Sequence, residues 1–303
     1  MNALITGATG YLGRELSKKL KSLGWHIYVS NSKQANLENV ENLFQYNNIK
    51  LDYIFHLAVV TKSGHYCYNN QGTQWEKNQL LNTNILLYWR HQQPQAKMVC
   101  MGSSCSYNPK FLFPDEEQYL LHYPDESLYT YAMTKRMLLA GLRAFEKQDG
   151  LKWLYFVPST IYGPNFENDN RHFIFDFIRK AESCKLNNTP IEIWGSGSQL
   201  RDLVYNSDAV EMIVGLLDQE NEVYNLGSGD LRSMREYIEI ICDTMNIDKK
   251  QIAYTPEKHV GVFQRSMSMQ KVHKALPNFK PTSVQNGLEK TIQFYLENYG
   301  ASR

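Results

Sequence analysis

An α/β fold with a doubly wound parallel sheet and a smaller C-terminal α/β lobe is predicted by three observations. Short apolar, β-branched runs alternate with helical patterns from residue 1 to about residue 164. The chain opens on a strand, a Gly-rich turn and a helix that ends at Gly24. The regular alternation stops after Pro164. A parallel strand pair needs a long crossover to bring the chain back to the same end of the sheet, and a helix is the usual crossover.

The elements follow in order. Ala3–Thr6 reads as a strand, and Gly7-Ala8-Thr9-Gly10-Tyr11-Leu12-Gly13 follows before the helical run RELSKKLKSLG. Strand, glycine turn and helix are the context of a dinucleotide-binding turn: the glycines let the backbone approach a pyrophosphate, and the helix N-terminus faces its charge. Gly7, Thr9, Gly10, Tyr11, Leu12 and Gly13 are therefore the first cofactor candidates. His26–Ser30 reads as the second strand. An acid at its end would hold the adenosine ribose 2′-hydroxyl of NAD. The end is instead Ser30-Asn31-Ser32-Lys33. These polar and cationic groups, with Arg14 as a second cation, suit a 2′-phosphate, so NADP(H) is expected ahead of NAD(H). Residues 52–58 (DYIFHLA) read as a buried strand that brings Leu57 and Ala58 to where the cofactor crosses.

Residues 64–72 are expected to form a loop and Gln74–Gln92 a long helix. Lys97–Gly102 and Leu151–Val157 are further strands, the first ending in Ser103-Ser104-Cys105-Ser106. Beyond Pro164 a helix is expected over His172–Lys185 and another from Ser233 to roughly Met245, with no regular strand–helix alternation in this last third. The apolar residues of 74–92 and 131–147 exceed one helical face, which is consistent with burial on two sides, as in a dimer bundle, or with packing on the sheet alone.

Tyr131 and Lys135 stand four apart in a strong helix-forming run, so they share one face. A fixed ammonium favours the phenolate of a neighbouring Tyr, which can then trade a proton with a sugar hydroxyl or ketone near neutral pH.

Composition narrows the classes. A chain of 303 residues with 43% hydrophobic residues and net charge +1 suits one large or two small globular domains in the cytoplasm, and gives no argument for nucleic acid or a membrane surface. No apolar run reaches the 18 or more residues of a membrane span, and the N-terminus enters a strand at once, leaving no signal peptide. Five cysteines without a CxxC pair read as reduced thiols, with no metal site.

Taken together, GATGYLG at 7–13, DYIFHLA at 52–58, GSSCSY at 102–107, YAMTK at 131–135, PSTIYGP at 158–164 and RDLVYNSD at 201–208 make the chain resemble the extended short-chain dehydrogenase/reductases that act on nucleotide sugars. The resemblance implies a Rossmann-type cofactor domain over residues 1–164 with a returning segment near 202–226. It also implies a discontinuous sugar-nucleotide domain mainly over 165–303, and a homodimer. Ser103 falls where the family keeps the hydroxyl that bonds the reacting oxygen. A 4,6-dehydratase would look like Thr-Asp-Glu there; Ser104-Cys105-Ser106 does not. Cys105 in GSSCSY looks like the GDP-L-fucose synthase family, whose 3,5-epimerase/4-reductase pairs a Cys with a His beyond the Tyr-Gly-Pro motif, here His172. The resemblance further implies that Asn78, Pro158, Thr160, Ile161 and His172 contact the cofactor. It places Trp194 and Arg201 at the nucleotide diphosphate, with Lys180 and Arg265 as further cations for that group. The run from Val59 to Gly64 and the HYCY after it depart from the family's small-residue, Gly-rich pattern. That leaves a nucleotide-sugar 4-epimerase, a plain 4-reductase on another deoxyhexose or a heptose, and a catalytically idle NAD(P)-binding regulator as alternatives.

Overall fold

The computed structural model describes residues 1–61, 69–167, 172–258 and 261–300. The opening strand–turn–helix is present as β1 (Asn2–Thr6) and α1 (Tyr11–Ser22), followed by β2 (His26–Ser30). Alternation continues through β3 (Tyr53–His56), α2 (Gln71–Gln92), β4 (Lys97–Met101), α3 (Tyr129–Asp149) and β5 (Trp153–Pro158). The rest of the chain forms β6 (Thr160–Tyr162), α4 (Phe173–Asn187), β7 (Ile191–Trp194), β8 (Leu200–Tyr205), α5 (Asn206–Gly215) and β9 (Glu222–Leu226). It ends in β10 (Leu231–Ser233), α6 (Met234–Met245), β11 (Ile252–Thr255), β12 (Gln264–Arg265), α7 (Gln270–Ala275) and α8 (Val284–Asn298).

Six strands form one sheet in the order β2-β1-β3-β4-β5-β9, every neighbouring pair parallel. The order reverses at β1: β2 lies on one side and β3 on the other, so the C-terminal end of β1 is a topological switch point, where ligands of such sheets bind. Both faces are covered. Met98 and Cys100 of β4 pack with Ile85 and Trp89 of α2 and Leu138 and Leu142 of α3. Val99 and Met101 pack with Leu16 and Leu20 of α1 and Ala209 and Ile213 of α5. That double cover explains why β4 is buried at all five positions instead of alternating.

β6, β8, β10 and β12 make a second sheet, with β8 central, and β7 pairs β11. Here Ile174, Phe175 and Ile178 of α4, Ile238 and Ile241 of α6, and Leu288 and Ile292 of α8 bury their apolar faces together with Leu203 of β8.

The expected elements differ from the observed ones mainly at their ends. α2 starts at Gln71 rather than Gln74, and the expected loop over 64–72 falls mostly outside the described residues. β3 stops at His56. α2 also buries four amides, Gln74, Asn78, Asn82 and Asn84, beside its apolar residues. Each carries a hydrogen bond to main chain, for example Asn84 Nδ2 to the Leu37 carbonyl at 2.8 Å. A buried amide with its partners satisfied is tolerated in a core, which is why no simple apolar stripe marks this helix. Leu80 and Leu87 of the same helix stay exposed. Among the described residues no helix is long and apolar enough to cross a membrane. Cys100, Cys105, Cys184 and Cys242 are free thiols, and Cys67 lies outside the described residues.

The end of β4 is tight. A Cβ at Gly102 would sit 2.5 Å from Tyr155 Cε1 and 2.8 Å from the Tyr119 hydroxyl. Gly102→Ala is therefore expected to lose about 1–3 kcal/mol to overpacking. Urea unfolding reads the loss, and a change below about 0.5 kcal/mol would show that the two tyrosines yield freely.

Candidate functional site

A cavity of about 520 Å³ opens at the switch point. Of the residues expected at a dinucleotide, Gly7, Thr9, Gly10, Tyr11, Leu12, Gly13, Asn31, Ser32, Leu57, Ala58, Tyr131, Lys135, Pro158 and Ile161 line it. Glycine is dictated at two of them. Gly7 has φ +69°, and a Cβ there would meet the Ala58 nitrogen at 2.8 Å; at Gly13 it would meet the Gly7 carbonyl oxygen at 2.2 Å. The N-cap of α1 is Gly10, with no side-chain cap and no acid in the first turn. Its first N–H groups thus point from a helix end that favours anions. A glycine-walled cavity with such a donor set fits a dinucleotide pyrophosphate.

Lys33, Asn78, Thr160 and His172 are not among the lining residues. Lys33 sits on an exposed turn closed by Asn31, whose Oδ1 accepts from the Lys33 nitrogen at 2.8 Å and the Gln34 nitrogen at 2.9 Å. Asn78 accepts from the Val60 nitrogen at 2.7 Å and donates to the Val60 carbonyl at 2.9 Å, so it fixes the backbone of a lining residue. Thr160 pairs with Leu203 in the second sheet. The expectation for Arg14 is corrected: its guanidinium binds the Glu167 carboxylate at 2.6 Å, the Asn165 carbonyl at 2.6 Å and the Thr9 carbonyl at 2.7 Å. Arg14 is also not among the residues that line the cavity. Sequence reasoning also missed Asn36, Leu37 and Glu38, which the turn after β2 folds back onto the cavity wall.

Tyr131 and Lys135 share the cavity face of α3. Lys135 is buried, and its Nζ donates to the Met101 carbonyl at 2.8 Å. Burial pushes the ammonium down to about 8, and the neighbouring Cys100 opposes that shift. α3 is held on two sides. The Ser103 nitrogen donates to the Tyr119 hydroxyl at 3.3 Å, Tyr119 and Tyr155 share a hydrogen bond of 3.1 Å, and the Tyr155 hydroxyl donates to the Lys135 carbonyl at 2.7 Å. Arg136 donates to the carbonyls of Ser106 at 3.0 Å, Leu121 at 3.1 Å, and His122. Neither tyrosine nor Arg136 carries a sequence signal, since each reads as ordinary core or helix surface.

A second group gathers around Cys105, just past Ser103, whose Oγ accepts from the Cys105 nitrogen at 3.3 Å. Arg265 of β12 brings Nη1 within 2.7 Å of Cys105 Sγ, and Asp125 lies 3.7 Å from its other arm. Arg201 is the register partner of Arg265 across β8 and β12, and donates to the carbonyls of Leu200 at 2.8 Å and Val262 at 2.9 Å. Burial, then the Arg265 charge, pushes Arg201 down to about 10. His172 also meets this charge: burial of its ring and the Arg265 guanidinium both hold its imidazole low. The residue as a whole is exposed, and solvent weakens both effects. Both keep the ring neutral near pH 7. Three expected residues, Cys105, Arg201 and Arg265, thus converge, with His172 within reach of the Arg265 charge. Lys180 and Trp194 lie elsewhere, along β7. Lys180 pairs with Asp176 at 2.9 Å and donates to the Glu192 carbonyl at 2.9 Å. Trp194 is 48% exposed with the Lys258 ammonium 5.2 Å over its ring.

This geometry defines a dinucleotide-binding fold with a Tyr/Lys pair on the cavity and a thiol–imidazole–guanidinium group beside it. The chain belongs to the NAD dependent epimerase/dehydratase family, whose pattern matches residues 3–227. It is 25% identical to the GDP-L-fucose synthase of Dictyostelium discoideum, over 99% of this chain and 97% of that protein. Its fold matches a GDP-L-fucose synthetase from Naegleria fowleri with a TM-score of 0.88 and 25% identity, covering 100% of this chain and 95% of that one. The NADP-bound form of that protein superposes with a TM-score of 0.87 at 24% identity, over 100% of this chain and 94% of that one.

Two outcomes follow. Glu38 puts a carboxylate on the same cavity wall as Asn31 and Ser32. Glu38→Gln should tighten NADPH relative to NADH about fivefold, on the order of 1 kcal/mol for one exposed charge. Fluorescence titration of both reduced cofactors reads this, and an equal change for both would place the carboxylate away from the phosphate. Lys135 sets a pH dependence of stability. Its folded value of about 8 lies below the unfolded 10.4–10.5, so between these the unfolded chain binds more protons and stability rises with pH. Lys135→Met should flatten that rise in urea unfolding from pH 8 to 10; an unchanged slope would place its origin in another group.

Proposed function

We propose that the protein is an NADP-dependent 3,5-epimerase and 4-reductase of a GDP-linked 4-keto-6-deoxyhexose of the mannose type. One observation carries the reading. The Cys105 thiol lies 2.7 Å from the Arg265 guanidinium, whose charge also reaches the distant His172, while Tyr131 and Lys135 share the cofactor cavity. The family and the likeness to GDP-L-fucose synthases over the whole chain support it.

The chemistry explains the residue types. C3 and C5 of a 4-keto sugar are both α to the carbonyl, so their C–H bonds are acidified. Inverting each centre requires removing a proton from one face and returning one to the other. A thiol and an imidazole are suited to these two tasks near neutral pH. Ser103 and Tyr131 would hold the enolate oxygen between the two transfers. NADPH, held by the glycine turn and by Asn31 and Ser32, supplies a hydride for C4 when bound. Tyr131 then gives its phenolic proton to O4, and the adjacent Lys135 ammonium stabilises the phenolate left behind. Arg201 and Arg265, two cations in register, supply charge for the diphosphate, with Lys180 of α4 and Trp194 of β7 as candidates set apart from them.

In this reading residues 1–164, with the returning strand β9, hold the cofactor, and residues 165–303 mainly hold the sugar nucleotide. Exposed Trp75, Leu80 and Leu87 of α2 and Met137 of α3 support a homodimer through these helices. Its expected location is the cytoplasm.

The two half-reactions should separate by mutation. Cys105→Ser keeps the size but replaces the thiol by a hydroxyl, so solvent deuterium should stop entering C3 and C5 while hydride transfer persists. Tyr131→Phe should leave exchange measurable and lower reduction by roughly 10²–10⁴-fold. NMR of the product formed in D₂O with NADPH distinguishes them. Exchange in Cys105→Ser at the wild-type rate would reduce the assignment to a plain 4-reductase. The reduction rate should also fall as pH rises through about 8, where Lys135 loses its charge; a rate flat from pH 7 to 10 would sink this role for the ammonium.

A further inference from the structure

Under the cavity lies a buried imidazole that the proposed chemistry does not use. His56, the last residue of β3, is 1% exposed. Its Nδ1 lies 2.8 Å from Thr6 Oγ1 at the end of β1, and its Nε2 lies 3.0 Å from Asn82 Oδ1 on α2. The outer partners fix the direction of these bonds. Asn82 spends its amide N–H on the Thr134 carbonyl at 3.2 Å, so its Oδ1 accepts and His56 Nε2 carries the proton. His56 Nδ1 is then the acceptor, and the Thr6 hydroxyl donates to it while receiving the Ala58 N–H at 3.2 Å. The imidazole is neutral and locked in one tautomer, and each polar side-chain atom of the chain has a hydrogen-bond partner. Thr6, Asn82 and Thr134 are buried as well.

The two ends of this chain carry the meaning. One end is the Gly7 turn: Thr6 precedes Gly7, and Ala58 is the residue against which Gly7 packs. The other end is the turn of α3 that bears Tyr131 and Lys135, since Thr134 precedes Lys135. We propose that His56 is a positioning residue, which through Asn82 and the Thr134 carbonyl holds the Tyr131–Lys135 turn at a fixed distance from the cofactor's glycine turn. The charged and titratable groups that face His56 are the Lys135 ammonium on α3 and the Cys100 thiol, its register partner on β4. Protonation would turn Nδ1 from acceptor into donor against the Thr6 hydroxyl and add a charge beside Lys135. Burial, helped by the Lys135 charge and opposed by the Asn82 bond, holds the imidazole down to about 4. The link therefore stays intact over the neutral range.

The inference rests on the role given above to Tyr131 and Lys135 in reduction. The test measures reduction of GDP-4-keto-6-deoxymannose by NADPH, as log kcat against pH, in wild type, His56→Leu, Asn82→Leu, the double variant, His56→Gln and Tyr131→Phe. His56→Leu and Asn82→Leu should each lower kcat about tenfold with KM for NADPH within about threefold. Each should also move the basic limb upward by half a pH unit or more, because a loosened Lys135 is rehydrated. The double variant should be no worse than the worse single one, since both cut the same link. His56→Gln, which can still accept from Thr6 and donate to Asn82, should recover most of the rate. If His56→Leu does not fold, Thr6→Val and His56→Gln carry the comparison, with Thr6→Val expected to shift the limb and His56→Gln not. Basic limbs that superpose on wild type, with kcat reduced only by the unfolded fraction, would overturn the positioning role. A Tyr131→Phe variant as active as wild type would instead overturn the reductase reading on which it rests.

Discussion

The structure depends on one buried ammonium. Lys135 is taken out of water on α3, with the Met101 carbonyl as its hydrogen-bond partner. An isolated charge in such a place is costly, and the group yields by titrating more easily. The surroundings must therefore hold α3 where that carbonyl is, and they do so through main-chain oxygens. Asn82 takes the Thr134 carbonyl, Tyr155 takes the Lys135 carbonyl, and Arg136 takes three carbonyls of the segment after β4. Hydrogen bonds from side chains to helix carbonyls fix the axial position of the helix, which apolar packing alone leaves free to slide. The same bonds tie α3 to Ser103 through Tyr119 and Tyr155, so the Ser/Tyr/Lys set is positioned as one unit.

A second constraint is the pairing of Arg201 with Arg265 across β8 and β12. Like charges in register repel, and this pair persists because each guanidinium is given anions or carbonyls. Arg201 donates to main-chain carbonyls, whereas Arg265 reaches Cys105 and Asp125. Arg265 is therefore the cation of the pair that lies next to the thiol. The dinucleotide cavity and the group around Cys105 are thus served by different elements: α1, β1 and α3 for one, β8, β12 and the start of α4 for the other.

Much of this was legible in the residues. The doubly wound sheet follows from alternation and from the glycine turn, because parallel strands need helical crossovers and a pyrophosphate needs a close backbone. Tyr131 and Lys135 follow from helical spacing. Cys105 and His172 were picked by resemblance, and nothing in their spacing says that they meet. Arg14 shows the limit in the other direction: beside the glycine turn it reads as a phosphate ligand, yet the fold gives it Glu167 and the Asn165 carbonyl from beyond Pro164, with the Thr9 carbonyl. Glu38 was missed because the turn that returns it to the cavity is set by Asn31 side-chain bonds, not by a periodic pattern.

What the sequence determined by itself is what depends on neighbours along the chain: which segments are strands or helices, where glycine is required, and which side chains share a helical face. What only the tertiary structure decided is what depends on groups far apart in sequence. Thr6, His56, Asn82 and Thr134 come from four elements, and each alone reads as an ordinary core polar residue. Their meaning appears when burial removes water and leaves each donor only one acceptor within reach, since a buried polar group must be matched by the fold or destabilise it.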